Sequence, residues 1–517
     1  MGFNTALMFF ILQDFSATAV TADTVLEVDW DGDGDFGDPG EMISGDVMAI
    51  SCYRGRDYAS QLQGRAVAGS LQATLRNDDG KFSSFNTASP LYGNLLPGRK
   101  VRLRVTSPVS AVLWTGYLSR IEPHTTPGPY ATATLYAAGP FVRLGGPNAK
   151  VSPAAQENVP TGDLVDAVLD AIDWDAAARS IQPGNVEIAR WFAEDVEALA
   201  ALQEIEDTEQ GFLYEGLAWD VIFEQRYHRD VNELTSQATY SDHAAASYGY
   251  MAIDQADPLQ EIFNEFEATV QPYNEEVSAS VLWTLSGETP SLAAGQSRTY
   301  IAKATSLNGE QIAYVSAWTT PVAGTDIVQT GVSNGDIGIS AAKKALSMEV
   351  TITNNHGSAA ATLTLVQARG IAVTSLNPFK ITASDTPSQV KYGKRRYPLS
   401  SPWYFNSAYA EGTASYLLDR QAEPRPILTL TFASKKSAAL QTEMVQRALS
   451  DRVTVQADQN AKLGISGDFH VEGIAHEFSQ GSTWHQTTLL LSPAVADPGW
   501  WVLEVADDLG TDTVLAY

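Results

Sequence analysis

Cysteine is nearly absent from this 517-residue chain. Cys52 is the single one, so no disulfide can form within one copy. It lies in a β-like run, and we predict that it is a buried apolar residue. Long hydrophobic runs are absent as well. The apolar stretch at residues 6–12 is too short to span a bilayer, and no Lys or Arg precedes it as in a signal peptide. We therefore expect no membrane insertion of this chain.

Positive charge is also scarce. The chain has 33 Lys and Arg against 61 Asp and Glu, a formal net charge of −28 at pH 7. This balance argues against a protein that binds nucleic-acid phosphates through clustered Lys and Arg side chains. Hydrophobic residues make up 44% of the chain, which indicates an ordered globular protein. Because single cores stop growing at roughly 250 to 300 residues, we expect several domains.

The common catalytic motifs are missing too. Residues 464–468 (GISGD) lack the last glycine of a nucleophile elbow, and no H-E-x-x-H or phosphate-binding glycine loop occurs. Acidic residues are abundant, so the hypothesis of a catalytic carboxylate pair, as in a glycosidase, stays open. Abundant acid follows from the composition alone, however. We therefore predict that the protein is not an enzyme.

What the chain does contain is, first, a series of short strands. Residues 70–75, 101–105 and 131–136 alternate apolar and polar side chains, the pattern of half-buried strands. Gly, Pro, Asn and Asp separate these runs. The pattern predicts an antiparallel barrel or sandwich at residues 23–145.

Helical patterns follow. Leu164 and Val168 belong to one apolar helical stripe, and a second helix is predicted at residues 195–210, with Gly211 placed to end it. Two short apolar runs after it are typical of a hairpin. Residues 146–258 are therefore predicted to form a small α/β domain.

The middle of the chain changes character again. Residues 271–375 are rich in Ser, Thr, Ala and Gly, with few charges and several strand-like runs. We interpret them as an immunoglobulin-like β-sandwich inserted into another domain. The predicted division is residues 1–22 as an N-terminal arm, 23–145 as a first β-barrel, 146–258 as the α/β domain, 259–270 and 376–495 as a second β-barrel, 271–375 as the inserted sandwich, and 496–517 as a C-terminal tail.

An acidic run at residues 29–41 (DWDGDGDFGDPGE) is the strongest local motif. Ca²⁺ takes six to eight oxygen ligands, and alternate carboxylates with glycines at sharp turns supply such a loop. The candidate ligands are Asp29, Asp31, Asp33 and Asp35. The twelfth position of an EF-hand loop is a glycine here, and Glu41 comes one residue late. Two readings stay open, a calcium site and a solvated acidic turn between strands.

Three histidines and one basic run are further candidates for a functional site. His470, His476 and His485 fall in a predicted hairpin, where they form a weak zinc candidate; we favour ordinary surface or rim histidines. The basic run at residues 391–396 is expected to pair with acidic neighbours.

Six segments together carry a family resemblance. They are residues 54–57 (RGRD), 75–83 (LRNDDGKFS), 96–102 (LPGRKVR), 390–396 (VKYGKRR), 448–455 (ALSDRVTV) and 467–478 (GDFHVEGIAHEF). In combination and order they resemble the tail-tip hub proteins, also called baseplate hub or minor tail proteins, of long-tailed bacteriophages.

The resemblance implies a fold and a role. The fold class is mainly β with an α/β subdomain, in which two antiparallel hub β-barrels are present and one is interrupted by the inserted β-sandwich. The role is a structural virion protein at the tail tip: a homotrimeric ring that adapts a hexameric tail tube to threefold tip proteins. Its partners are the distal tail, tape-measure and fibre or spike proteins, and DNA passes through its lumen without specific binding.

Two other functions are also compatible with the sequence. One is a receptor-binding or cell-wall-cleaving tail protein, and the other is a secreted calcium-dependent adhesin. The apolar C-terminal tail suits edge-strand addition to a neighbouring chain.

Overall fold

The computed structural model describes residues 23–57, 64–124, 130–243, 248–256, 259, 262–401, 403–433, 437–479, 484–494, 500–501 and 514–515. The predicted N-terminal arm, and most of the predicted C-terminal tail, lie outside these residues. No helix in the described ranges is both long and apolar enough to cross a membrane. The predicted fold class, mainly β with an α/β subdomain, is confirmed.

The first β-domain follows from the alternation seen in the sequence. Its strands are β1 (Asp23–Val28), β2 (Val47–Asp57), β3 (Arg65–Ala66), β4 (Ser70–Arg76), β5 (Lys100–Ser107), β6 (Ala111–His124) and β7 (Thr132–Ala138). They are antiparallel in the order β1-β5-β6-β7-β4-β2, with β3 beside β2. In β5 every second residue is fully buried, namely Val101, Leu103 and Val105, so one face of the strand packs on the core.

The α/β domain comes next. Its elements are β8 (Lys150–Val151), β9 (Gln156–Pro160), α1 (Thr161–Asp170), β10 (Arg179–Ile181), β11 (Glu187–Trp191), β12 (Val196–Glu197), α2 (Ala198–Glu209), β13 (Phe212–Glu215), β14 (Val221–Glu224) and α3 (His228–Val231). Helix α1 buries the predicted stripe that contains Leu164 and Val168. Helix α2 ends one residue earlier than predicted, because Gln210 takes the left-handed conformation (φ 57°). Gly211 is needed for space instead, since a Cβ there would lie 2.6 Å from the carbonyl oxygen of Glu224.

Three strands lead into a segment of two packed sheets. They are β15 (Thr239–Ser241), β16 (Ala252–Gln255) and β17 (Glu265–Val270). The segment contains β18 (Tyr273–Glu275), β19 (Ser280–Thr284), β20 (Ser291–Leu292), β21 (Ser297–Lys303), β22 (Ser306–Leu307), β23 (Glu310–Trp318), β24 (Ile327–Thr330), β25 (Ile337–Lys343), β26 (Ser347–Asn354) and β27 (Ala361–Ser375). One antiparallel sheet is organised on the long β27, the other has the order β21-β26-β25, and both contribute to one core. The two ends of the segment touch, because the Leu376 amide donates to the carbonyl of Pro272 at 2.9 Å.

The rest of the chain returns to the other domains. Its elements are β28 (Phe379–Ser384), α4 (Thr386–Tyr392), β29 (Arg396–Ser400), α5 (Ser407–Gln421), β30 (Leu428–Ala433), α6 (Ala438–Gln446), β31 (Arg452–Ala457), β32 (Ile465–Ser479), β33 (Trp484–Pro493), β34 (Trp500–Trp501) and β35 (Val514–Leu515). Short 3₁₀ helices occur at Ser44–Asp46, Pro140–Leu144, Ala176–Ala178 and Asn334–Asp336. The terminal strands β34 and β35 pair with each other in parallel.

The structure divides the predicted second barrel differently. Strand β17 pairs with β28 and β29 in a separate three-stranded sheet. Helix α5 covers this sheet, and Phe266, Ala414 and Leu417 share its core. These elements therefore form a small unit separate from the second β-domain, which consists of β15, β16 and β30 to β33. The sequence prediction did not separate this unit from the second barrel, because the alternation within a strand does not show which sheet the strand joins.

The two β-domains share one sheet. Among the described residues this sheet holds thirteen strands, and its main path runs β1-β5-β6-β7-β4-β2-β32-β33-β30-β16. Strands β31 and β15 join it beside β32, and β15, which falls in the predicted α/β domain, pairs with β31 in parallel. The step from β2 to β32 is the point at which the first β-domain continues into the second.

Candidate functional site

Two of the hub-like motif segments, residues 54–57 and 467–478, meet where β2 pairs with β32. β2 runs antiparallel to β32, with Gly55 opposite Gly473 and Cys52 opposite His476. Gly55 has a φ of 140°, and a Cβ on it would lie 2.4 Å from the carbonyl oxygen of Glu472. Glycine is the residue that permits both this conformation and this close approach. The glycine in the β2 motif therefore has a structural reason.

Four buried charges form a network beside the strand crossing. The Arg56 guanidinium lies 2.9 Å from Oε1 of Glu206 and 3.4 Å from Oε2 of Glu472. Arg229 Nη1 binds Glu472 as well, and its Nη2 lies 3.3 Å from Oε2 of that residue. Each of the four residues is at most 4% exposed. They come from β2, α2, α3 and β32, so the network connects the α/β domain to both β-domains.

Electrostatics keep the centre of the network ionised. Burial alone would raise the pKa of Glu472, but Arg229 and Arg56 outweigh burial and hold this pKa at about 2. Ser492 donates a further hydrogen bond to Oε1 of Glu472 at 2.6 Å. Burial raises the pKa of Glu206, which Arg56 opposes. Glu472 is therefore the permanent counter-ion of both arginines at neutral pH.

An aromatic ring closes the network on one side. The ring centroid of Phe212 lies 3.6 Å from Cζ of Arg229 and 4.9 Å from Cζ of Arg56. Cations over an aromatic face gain most when water is excluded. Because each charged group in the network faces another protein group, the arrangement fixes the orientation of three domains.

This network is not predictable from the sequence pattern. Arg56 and Glu472 belong to the quoted motifs, but their contact joins positions 416 residues apart. Glu206 and Arg229 were not singled out. The available signal for Glu206 is that it lies beside Leu202 and Ile205, on the buried side of α2.

The acidic loop at residues 29–41 folds onto its own backbone. The two carboxylate oxygens of Asp29 accept from the amides of Gly32 at 2.5 Å and Gly34 at 3.1 Å. Asp31 accepts from the amide of Asp33 at 3.2 Å, which is the pattern of an Asx turn. These bonds turn the loop tightly and bring several carboxylates to one side.

Two overlapping groups of carboxylates result, and within each group one oxygen per residue lies within 4.8 Å of the others. The groups are Asp29 with Asp31 and Glu41, and Asp31 with Asp33 and Asp38. Asp35, one of the four predicted ligands, belongs to neither group; it accepts from the Gly37 amide at 2.7 Å. Glu41 does converge, because Gly40 adopts a φ of 94° and turns the chain inward. Glu41 was left out of the predicted ligands because it comes one residue after the twelfth position of an EF-hand loop.

Repulsion within the loop is visible in the pKa values. A hydrogen bond and the charge of Asp31 raise the pKa of Asp38, and burial raises the pKa of Glu41. The donor set consists of oxygens alone, the chemistry that Ca²⁺ prefers. The residues therefore fit a calcium ion, with Asp29, Asp31, Asp33, Asp38 and Glu41 as the groups able to hold it.

The loop also touches the α/β domain. Phe36, within the loop, stacks on Trp219 with ring centroids 5.9 Å apart and an interplanar angle of 17°. Arg102 lies 4.3 Å from the Phe36 centroid. The conformation of the loop is thereby linked to the surface that Trp219 forms.

The histidines are buried, so the interpretation as surface or rim residues was wrong. His470, His476 and His485 are 5%, 2% and 2% exposed. His476 Nδ1 lies 3.2 Å from Nε2 of His485, whereas His470 bonds to the carbonyl of Ser450. Burial lowers the pKa of His470 and His485 to about 3. Strand β32 is covered on both faces at the junction, which alternation alone does not reveal.

The basic run pairs with acidic neighbours, as expected. Arg396 contacts both Glu265 at 2.6 Å and Glu267 at 2.9 Å, and Lys394 contacts Glu265 at 2.5 Å. Lys391 pairs with Glu423 at 3.0 Å.

Similar proteins are found among solved structures. No protein-family model matches the chain, and no curated protein matches it. The tail protein from Neisseria meningitidis MC58 is 11% identical, with 91% of this chain and 96% of that chain covered and a TM-score of 0.49. The 43 kDa tail protein of prophage MuSo2 from Shewanella oneidensis is 9% identical, with 91% and 97% covered and a TM-score of 0.47.

A third solved structure, prophage tail protein gp18 from Listeria monocytogenes EGD-e, is 11% identical, with 90% of this chain and 94% of that chain covered and a TM-score of 0.40. All three are named as tail proteins, the class of protein that the sequence motifs resemble.

Proposed function

We propose that the protein is a structural component of a bacteriophage tail and forms a three-copy hub ring at the tail tip. The observation that carries the proposal is the direct pairing of β2 with β32. These strands hold two of the hub-like motifs, and their pairing places two β-domains side by side in one sheet. Three copies therefore supply six β-domains, the number that matches a hexameric tube.

The buried network supports a fixed arrangement of the domains. Arg56, Arg229, Glu206 and Glu472 are withdrawn from solvent and bonded to one another, which suits a structural role and not catalysis on a substrate. A subunit that adapts a sixfold tube to threefold tip proteins needs its two β-domains at a fixed angle. Its proposed neighbours are the distal tail, tape-measure and fibre or spike proteins.

The charge of the chain supports passage of DNA through the ring. A net charge of −28 disfavours binding to phosphates. A lumen that attracted the DNA backbone would slow its exit. The proposed role of the ring towards DNA is therefore to let it pass without specific binding.

Sedimentation equilibrium of the full chain tests the ring. We expect a species with three times the 55.7 kDa chain mass, and electron-microscopy class averages with threefold symmetry. Obligate interfaces bury roughly 2,000 Å² or more, so the trimer should persist at micromolar concentration. A monomer at tens of micromolar, or a six-copy assembly, would contradict the proposal.

We also propose that the acidic loop binds Ca²⁺ and is ordered by it. Calorimetry of the full chain should show calcium binding that is lost when Asp31→Ala and Asp33→Ala are combined. Asp79→Ala is the matched control, because Asp79 also accepts from an amide two residues ahead, that of Lys81, but belongs to another loop. Heat of binding that is equal in all three proteins would place the ion elsewhere.

A further inference from the structure

A cleft of 660 Å³ lies between the first β-domain and the α/β domain. Its volume is within the range of roughly 300 to 1,000 Å³ found for ligand sites. Seven side chains give it its chemistry: Lys100, Tyr117, Arg143, Asp173, Trp174, Asp175 and Trp219. None of them has a part in the ring proposed above.

The aromatic side chains of the cleft are held rigidly. The indole N–H of Trp174 donates to the carbonyl of Ala178 at 3.0 Å, and that of Trp219 donates to the carbonyl of Gly116 at 2.9 Å. Both rings are half-buried. Phe36 stacks on Trp219, and the Lys100 ammonium lies 5.3 Å from the centroid of the same ring, whereas the Trp174 ring has no aromatic or cationic neighbour in the described part of the chain. Ordering costs on binding are small for aromatic side chains that are already fixed.

Backbone strain is concentrated at the same place. Asp173 has a φ of 54° and Trp219 a φ of 58°, so two non-glycine residues that line the cleft are left-handed. This conformation is strained and is unusual for a bulky residue. Such strain clusters at binding sites, because the fold holds a side chain where the ligand needs it.

The charges of the cleft balance. Lys100 and Arg143 supply two cations, and Asp173 and Asp175 supply two carboxylates. In the described part of the chain none of the four takes part in an ion pair between side chains. Arg143 instead donates to the Tyr117 hydroxyl at 3.1 Å and lies over its ring. The cleft thus offers both donors and acceptors to a ligand without favouring either sign of charge.

We propose that this cleft binds a neutral or N-acetylated oligosaccharide. A sugar ring presents C–H bonds on its faces, which pack on the electron-rich faces of Trp and Tyr rings. Its rim carries hydroxyl groups, which both donate to carboxylates and accept from guanidinium and ammonium groups. Rigid aromatic rings beside balanced, unpaired charges match that combination better than they match a polyanion or an apolar peptide.

The test uses the full chain on an array printed with oligosaccharides, chitohexaose and maltohexaose among them, and with peptides. The affinity for the retained sugar is then measured by tryptophan fluorescence. We expect sugar binding that weakens at least tenfold when Arg143→Ala and Asp173→Gly are combined. The glycine keeps the left-handed backbone, so this variant removes two polar groups without a folding penalty at that position.

Arg120→Ala is the matched control. Arg120 is also an exposed arginine over a tyrosine ring, that of Tyr136, but it lies outside the cleft. Its sugar affinity should equal that of the parent. The proposal is overturned if no sugar is retained above the level of the double variant, if the double variant binds as tightly as the parent, or if only peptides are retained.

Discussion

The same small constellation occurs at two places in the molecule, with different surroundings. Glu472 lies between Arg229 and the hydroxyl of Ser492, at the junction of the two β-domains. Glu275, in the inserted segment, lies between Arg190 of the α/β domain and the hydroxyl of Ser316. The side chain of Glu472 is 1% exposed, whereas that of Glu275 is 32% exposed.

Solvent decides what each constellation contributes. At the junction, removing the charge of Glu472 leaves Arg229 buried without a carboxylate partner in the network and leaves Glu206 as the one partner of Arg56 there. At the contact of the inserted segment, water can replace the lost partner. The aromatic packing of Phe192 on Tyr314, with centroids 4.8 Å apart, also remains there. The comparison predicts that losing the charge of Glu472 destabilises the subunit far more than losing the charge of Glu275.

The largest effect is expected for Glu472→Gln. This change keeps the shape of the side chain but leaves Arg56 and Arg229 buried and underneutralised, at a cost of about 3 to 5 kcal/mol. Urea unfolding monitored by circular dichroism measures the loss. A loss below about 1 kcal/mol would mean that water reaches the junction and that the comparison fails.

Gly55→Ala should also destabilise strongly, by about 3 kcal/mol, because strain at the left-handed position and a clash with the backbone at Glu472 add together. Gly412→Ala is the control. Gly412 lies in α5, where a Cβ meets nothing within 4 Å, so alanine should stabilise the helix by up to about 1 kcal/mol. Equal unfolding midpoints for the two variants would remove the steric reason for the glycine in the β2 motif.

Acid should weaken the junction through its histidines. The pKa of His485 is lowered to about 3 in the fold, against about 6.5 in the unfolded chain. Stability is therefore complete above pH 6.5 and falls as the pH drops, since the unfolded state binds a proton that the fold does not. Between pH 6.5 and 5 this histidine should cost about 2 kcal/mol.

The measurement compares the parent with His485→Gln, both unfolded in urea at pH 7 and at pH 5. The variant should lose about 2 kcal/mol less than the parent over this range. The difference between the proteins is informative because other groups oppose the trend; burial raises the pKa of Glu215 to about 7, so acid relieves that group. Identical pH dependence would show that His485 is protonated in the fold.

The smallest effect is expected for Glu275→Gln, the counterpart of the junction variant. Hydrogen bonding to Ser316, together with Arg190, lowers the pKa of Glu275, but its side chain is in contact with water. The loss should be about 1 kcal/mol or less. A loss equal to that of Glu472→Gln would mean that the inserted segment is as integral to the subunit as the junction.

Local features were predictable from the sequence, and contacts between distant segments were not. Alternation identified strands such as β5, and the apolar stripe identified α1. The contact of Arg56 with Glu472, the burial of His476, and the convergence of Glu41 on Asp29 each depend on how the chain returns to itself. The strands of the unit formed by β17, β28, β29 and α5 were joined correctly across the insertion but assigned to the second barrel, because alternation does not show which sheet a strand joins.

The central claim is that one subunit carries two β-domains fused through β2 and β32, and that three subunits make a ring. A cryo-electron-microscopy map of the assembled tail tip tests it most directly. The map should show three copies of the chain, with six β-domains around one channel and continuous density between β2 and β32 in every copy. A single copy, six copies, or β-domains separated at that strand pair would contradict the account.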